Sequence, residues 1–281
     1  MEYKILTPDD TEYPKKLKER LGSECPQKLY YNGNLELLNR ITMSVICADK
    51  ECGIALMETH QVLFTVREYN LNYSGGWYSV IETEIFRLGL YKGYKFKTKK
   101  PALFGQKTVT LFSAKGLKNE SYDSFLLDRF YPPLHTFPER EEYFRQAKEG
   151  ELLMLSVCEP DETRQSRKNI MERNWIACNL GDIIFIPFGS KGTKTYTTAK
   201  KVLKANLPVF TIDNADNKDL LELGIPGFNR KNVRSFLEKY GAEIRKEEDS
   251  EREIIQYSIP ETPSNVEESK IDKQLNLFEK K

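Results

Sequence analysis

The chain is short of histidine, of cysteine in paired patterns and of long apolar runs. Its two histidines, His60 and His135, among 281 residues leave little material for a His-based metal site or a Ser-His-Asp hydrolase. No window approaches the roughly 20 apolar residues that a membrane-spanning helix needs. Met1 to Arg20 is charged throughout and lacks the apolar core of a secretory leader, so no signal peptide is expected. The five cysteines, at positions 25, 47, 52, 158 and 178, include no C-x-x-C pair. That argues against a disulfide framework or zinc knuckle and for a reducing cytoplasm. No two carboxylates stand out as an acid/base couple. No catalytic residue, metal site or cofactor is read from the sequence.

Charge is balanced overall, with 43 Lys+Arg against 42 Asp+Glu, but it is unevenly placed. Residues 246–281 hold ten acidic and six basic side chains, whereas the preceding 245 residues carry 37 basic and 32 acidic. The body is mildly basic. The tail is acidic, poor in apolar residues and punctuated by Pro260 and Pro263, and it reads as a flexible linker. At 39% apolar, the composition is sufficient for a real core.

Residues 1–36 read as a small N-terminal cap, with a charged helical stretch near Tyr13–Leu21 followed by LYYNG. Beyond it, short apolar runs alternate with longer helical ones. The strands are expected at Thr42–Cys47, Leu71–Ser74, Thr108–Phe112, Leu152–Ser156, Ile183–Pro187 and Val209–Ile212. Helices are expected at Ile54–Glu68, Ser79–Leu90, Glu139–Lys148, Asn169–Cys178, Thr197–Ala205 and Asn232–Tyr240. This alternation predicts an α/β fold, a Rossmann-like doubly wound, mostly parallel sheet over residues 37–245. In such sheets ligands sit at the carboxyl ends of strands.

The loops at those ends carry the chemistry. PFGSKGTKTYTT (187–198) combines Gly189, Ser190, Lys191, Gly192 and Lys194 just before a helix, with glycines that let backbone approach an anion. It reads as an anion site or an ordinary Gly/Ser loop, and it is not a Walker A loop. Ser74-Gly75-Gly76 ends a strand before a helix, so the same two readings apply. Residues 164–179 present Arg164, Arg167, Lys168, Arg173 and Asn174 for phosphate or base contact, or as a solvated helix face. Tyr91–Lys107 holds six lysines, Lys95, Lys97, Lys99 and Lys100 among them, interleaved with Tyr91, Tyr94, Phe96 and Phe104. Lysines for phosphates and aromatic faces for bases are what single strands need, although an exposed hairpin with solvated lysines has the same composition.

Four segments resemble the DprA/Smf family of DNA-processing proteins. They are KLYYNGNLELL (28–38), YSGGWYSVIETEIFRLGL (73–90), TVTLFSAKGL (108–117) and the long stretch from Glu172 to Ile212. The resemblance implies a Rossmann-like fold that binds single-stranded DNA, dimerises, and helps to load the RecA recombinase, without established enzymatic activity. It places Ser74 and Gly75 on the family's "SG", Arg173-Asn174 on its "RN", and Thr198-Ala199 on its "TA". Where the family carries "GSR" after the first strand, this chain has Cys47-Ala48-Asp49, so an acid stands in place of a phosphate-facing arginine. Trp175 replaces the third residue of "RNR", and Pro187 the Glu of "VVEA". Lysines of 92–107 and 191–194 are expected to take over part of the phosphate contact, and Trp175 to offer a stacking face or to join the core.

Two further resemblances complete the sequence reading. Gln274-Leu275-Asn276-Leu277-Phe278 is similar to the peptide that bacterial replication proteins insert into the sliding clamp, at the end of an acidic leash over residues 246–281. The alternative is a short amphipathic tail docking on its own body. Pro187–Thr193 also resembles the loop of LOG-type nucleotide-binding proteins, which cleave nucleoside monophosphates. Tyr196 stands where their catalytic Glu would lie, which leaves a nucleotide sensor as the form of that alternative that survives.

Overall fold

Apolar runs flanked by turn residues become strands, and the computed structural model, which describes residues 2–49, 53–90, 108–129 and 139–244, assembles them into one nine-stranded sheet. Its centre is parallel and buried: β3 (Thr42–Val45), β4 (Asn72–Gly75), β5 (Thr108–Phe112), β6 (Leu152–Ser156), β7 (Ile183–Ile186) and β8 (Val209–Ile212). Runs such as IIFI carry no polar alternation because both of their faces are covered. Ile183 and Phe185 enter one core, Ile184 and Ile186 another. The two-residue β9 (Gly227–Phe228) continues the parallel set beside β8. At the opposite edge β1 (Lys4–Leu6) and β2 (Leu29–Gly33) add antiparallel, β2 against β6. Residues 1–36, expected as a cap, thus contribute α1 (Lys15–Leu21) and two strands to the main sheet.

The strand order is β1-β2-β6-β5-β4-β3-β7-β8-β9. From β3 the chain steps outward through β4 and β5 to β6, returns through α6 (Arg167–Leu180), and steps the other way through β7 and β8. The direction of winding therefore reverses between β3 and β7, which is where a doubly wound sheet opens a crevice.

Helices cover both faces. On one, α2 (Gly53–Val66), α3 (Val80–Leu90), α4 (Tyr122–Leu127), α5 (Arg140–Glu149) and α9 (Val233–Lys239) bury Val62, Phe86, Phe125, Tyr143 and Phe236 in the largest core. On the other, α1, α6, α7 (Lys194–Lys204) and α8 (Lys218–Glu222) bury Leu17, Ala177, Ala199 and Leu220. Among the described residues no helix is long and apolar enough to cross a membrane.

Helix starts follow the caps more closely than the apolar periodicity. Thr193 caps α7, its hydroxyl accepting the amide of Tyr196 at 3.1 Å, so the helix opens three residues before the expected Thr197. Ser166 caps α6 in the same way through the amide of Asn169. Trp175 is half-buried on α6 between two of the cores, with the Lys201 ammonium 5.7 Å from its ring centre. It is core-packed, not a free stacking face.

Candidate nucleic-acid interface

A cleft of about 430 Å³ opens at the reversal point between β3 and β7. Its walls come from four segments that the fold brings to one rim: Cys47–Asp49 after β3, Tyr78 and Glu82 around the start of α3, the first half of α6, and Gly192–Thr195 at the start of α7. Its volume suits a nucleotide-sized group.

One wall is organised by a single carboxylate. Ser79-Val80-Ile81-Glu82 is an S-x-x-E capping box. Ser79 Oγ accepts the Glu82 amide at 3.2 Å, and Glu82 Oε2 accepts the amides of Ser79 (3.1 Å) and Tyr78 (2.7 Å). The other oxygen, Oε1, accepts the Cys47 amide at 2.9 Å, so Glu82 ties the loop after β3 to the loop after β4. Burial pushes this carboxyl above the ordinary range, while Arg173 and the three amides pull it back. Within the loop after β4, Trp77 adopts a left-handed backbone with φ 57°. That conformation costs roughly 1–2 kcal/mol for a residue with a Cβ. It is held by full burial of the indole, which stacks on Phe86 (5.6 Å, 23°) and donates to the Thr110 carbonyl at 3.1 Å. With Trp77 turned inward, Tyr78 faces outward and is 52% exposed at the cleft.

Two arginines underlie the floor. Arg173 Nη1 donates to the Phe112 carbonyl at 3.1 Å, and Arg129 Nε donates to the Gly76 carbonyl at 2.9 Å while its guanidinium lies 3.3 Å from the Phe125 ring centre. Burial lowers both, Arg129 to about 10, and Glu82 draws Arg173 back up. Gly76 lets the Arg173 guanidinium lie against the backbone, since a Cβ at that position would stand 1.4 Å from Nη1 and displace it.

The remaining wall is the start of α7. Gly192 turns with φ 89°, and Thr193, Lys194 and Thr195 line the cleft, so α7 points its free N-terminal amides there. Lys194 has no carboxylate partner among the described residues. Asn174, 7% exposed, reaches the same cleft with a side-chain amide that meets no hydrogen-bond partner among the described residues. Arg167, the first residue of α6, adds a further cation.

Of the expected site residues, the cleft therefore gathers Arg173, Asn174, Gly192 and Lys194. Ser74 and Gly75 lie buried at the end of β4, and Gly76 lies against Arg173. The amides of Tyr78 and Ser79, which follow them just before α3, are taken by Glu82. Gly189 packs on Thr195 and Leu220, and the Ser190 carbonyl accepts the Thr193 hydroxyl at 2.7 Å, so both build the turn. Lys191 is drawn to the outer side by Asp219 and Glu222, each 3.2 Å from its ammonium. Lys95, Lys97, Lys99 and Lys100, and the clamp-like Gln274, Leu275, Leu277 and Phe278, lie outside the described residues. The sequence reading did not single out Tyr78, Glu82, Arg129 or Thr195. For Glu82 the signal was present in the S-x-x-E spacing, and for Tyr78 there was none.

No family model and no curated relative matches this chain. Solved structures do. The X-ray structure of DNA processing protein A (DprA) from Streptococcus pneumoniae matches at 18% identity and a TM-score of 0.60, over 87% of this chain and 76% of that one. DNA processing protein A from Helicobacter pylori, whose structure describes a single-stranded DNA binding mode, matches at 19% identity and 0.59, over 85% of this chain and 97% of that one. At this level of identity it is architecture that is shared, and this chain has the Rossmann-like fold of the DNA processing protein A structures.

Proposed function

We propose that this protein binds single-stranded DNA, with a backbone phosphate seated in the cleft between β3 and β7. One observation carries the reading: the first residues of α7, Lys194 among them, line one cleft together with Asn174, whose side chain has no hydrogen-bond partner among the described residues. Amides at a helix N-terminus and a nearby cation favour phosphate, and a donor left unpaired in such a place gains a partner when an anion enters. Arg167 extends the cationic side toward the next phosphate. The mildly basic body and the architecture it shares with a single-stranded-DNA-binding protein support the same reading.

A role as recombination mediator, with a RecA-type recombinase as partner and a homodimer as the working form, extends this proposal by the family resemblance. Tethering to a sliding clamp through Gln274–Phe278 extends it by the tail peptide. Free nucleotide hydrolysis fits less well. Both oxygens of Glu82 are taken by backbone amides, and Tyr196 is buried where the LOG-type carboxylate would stand. The direct test is a gel shift with labelled oligo-dT and with blunt duplex of the same length. Retardation of the single strand alone supports the proposal, and equal retardation of the duplex refutes it.

A further inference from the structure

The cleft is polarised. Cations and amides from α6 and α7 form one side, while Tyr78 and the carboxylate of Asp49 stand on the loops after β4 and β3. Those two loops are pinned together, because Glu82 accepts the amides of Cys47 and Tyr78 on its two oxygens. Asp49 is exposed and forms no ion pair or hydrogen bond among the described residues, although its charge is felt by Arg173 on the cleft floor. A carboxylate in a phosphate site is repulsive unless it meets a part of the ligand that donates hydrogen bonds. In a nucleotide that part is the base edge. An aromatic ring and a carboxylate lining one cleft can supply both halves of base recognition, stacking from Tyr78 and acceptance from Asp49.

The geometry points to a base-reading subsite, and we propose that Tyr78 and Asp49 select guanine next to the phosphate bound at α7. This rests on the reading of the cleft as a single-strand site. The choice of base follows from donor count. Along their Watson–Crick edges adenine, cytosine and thymine each offer a carboxylate one amino or imino donor position. Guanine offers two in parallel, N1–H and the 2-amino group, matched to the two oxygens of one carboxylate. Bidentate pairing of this kind is the strong and geometrically selective form. In duplex DNA the same edge is consumed by cytosine, so the subsite also favours single strands.

The test is fluorescence anisotropy on the full chain with labelled oligo-dT, and with the same oligonucleotide carrying one central guanine. The guanine oligonucleotide should bind at least about fivefold more tightly, the lower end expected for one good bidentate base contact. In Asp49→Asn, which replaces one acceptor by a donor, the two affinities should converge. In Asp49→Arg both should tighten, with no guanine preference. Equal affinities in the unmodified protein, or a guanine preference that persists in Asp49→Asn, would overturn the subsite while leaving strand binding intact. Failure of both oligonucleotides to bind would instead bring down the single-strand reading and this proposal with it.

Discussion

Three backbone amides at the start of α3 and the end of β3 would point at solvent or ligand if position 82 were apolar. Glu82 satisfies all three and faces a buried guanidinium, so its removal strands both the amides and the charge of Arg173. Leaving buried amide donors without an acceptor in this way costs about 1–3 kcal/mol. Glu82→Ala should therefore lower stability by that amount in urea unfolding, and Glu82→Gln, which keeps an acceptor, by clearly less. An unchanged midpoint for Glu82→Ala would show that the carboxylate does not hold the two loops. Tertiary pairing of this sort is what the sequence hid. Ser79 and Glu82 have cap spacing, but nothing local announces that the second oxygen reaches Cys47, 35 residues away.

Among the elements, α7 sets the anion site. The apolar stripe Tyr196, Ala199 and Val202 makes the helix legible in the sequence, whereas its first turn, which lines the cleft, is polar and carries no apolar period. Parallel strands were legible because burial on both faces removes alternation, and β5, β6 and β8 match their expected limits. β1 and β9, of three and two residues, are too short for a pattern, and β2 (LYYNG) ends in polar turn residues. Position on α7 also separates two lysines that look equivalent in the sequence. Lys194 lines the cleft, while Lys191 is held by Asp219 and Glu222. Lys194→Ala should weaken oligo-dT binding and reduce the salt slope by about one charge. Lys191→Ala should change affinity much less. A larger loss from Lys191→Ala, measured by anisotropy, would place the phosphate on the outer side of the loop.

At the scale of the whole molecule, charge is divided between a basic body and an acidic segment over residues 246–281. Like charge on such a segment repels a polyanion, and the clamp-tethering proposal assigns the peptide at its end to another protein. Deleting residues 274–281 should abolish capture of the sliding clamp in a pull-down with the purified clamp and leave oligo-dT affinity unchanged. Clamp capture by the truncated protein would contradict the tail assignment. The central claim is that a cleft at the winding reversal grips a single strand through phosphate contacts. It is tested most directly by the salt dependence of oligo-dT binding, measured by anisotropy for the full chain and for the Arg167→Ala/Lys194→Ala double variant. A steep fall of affinity with salt, made shallower by about two charges in the double variant, is the predicted result. The same affinity and the same slope in both proteins would contradict it.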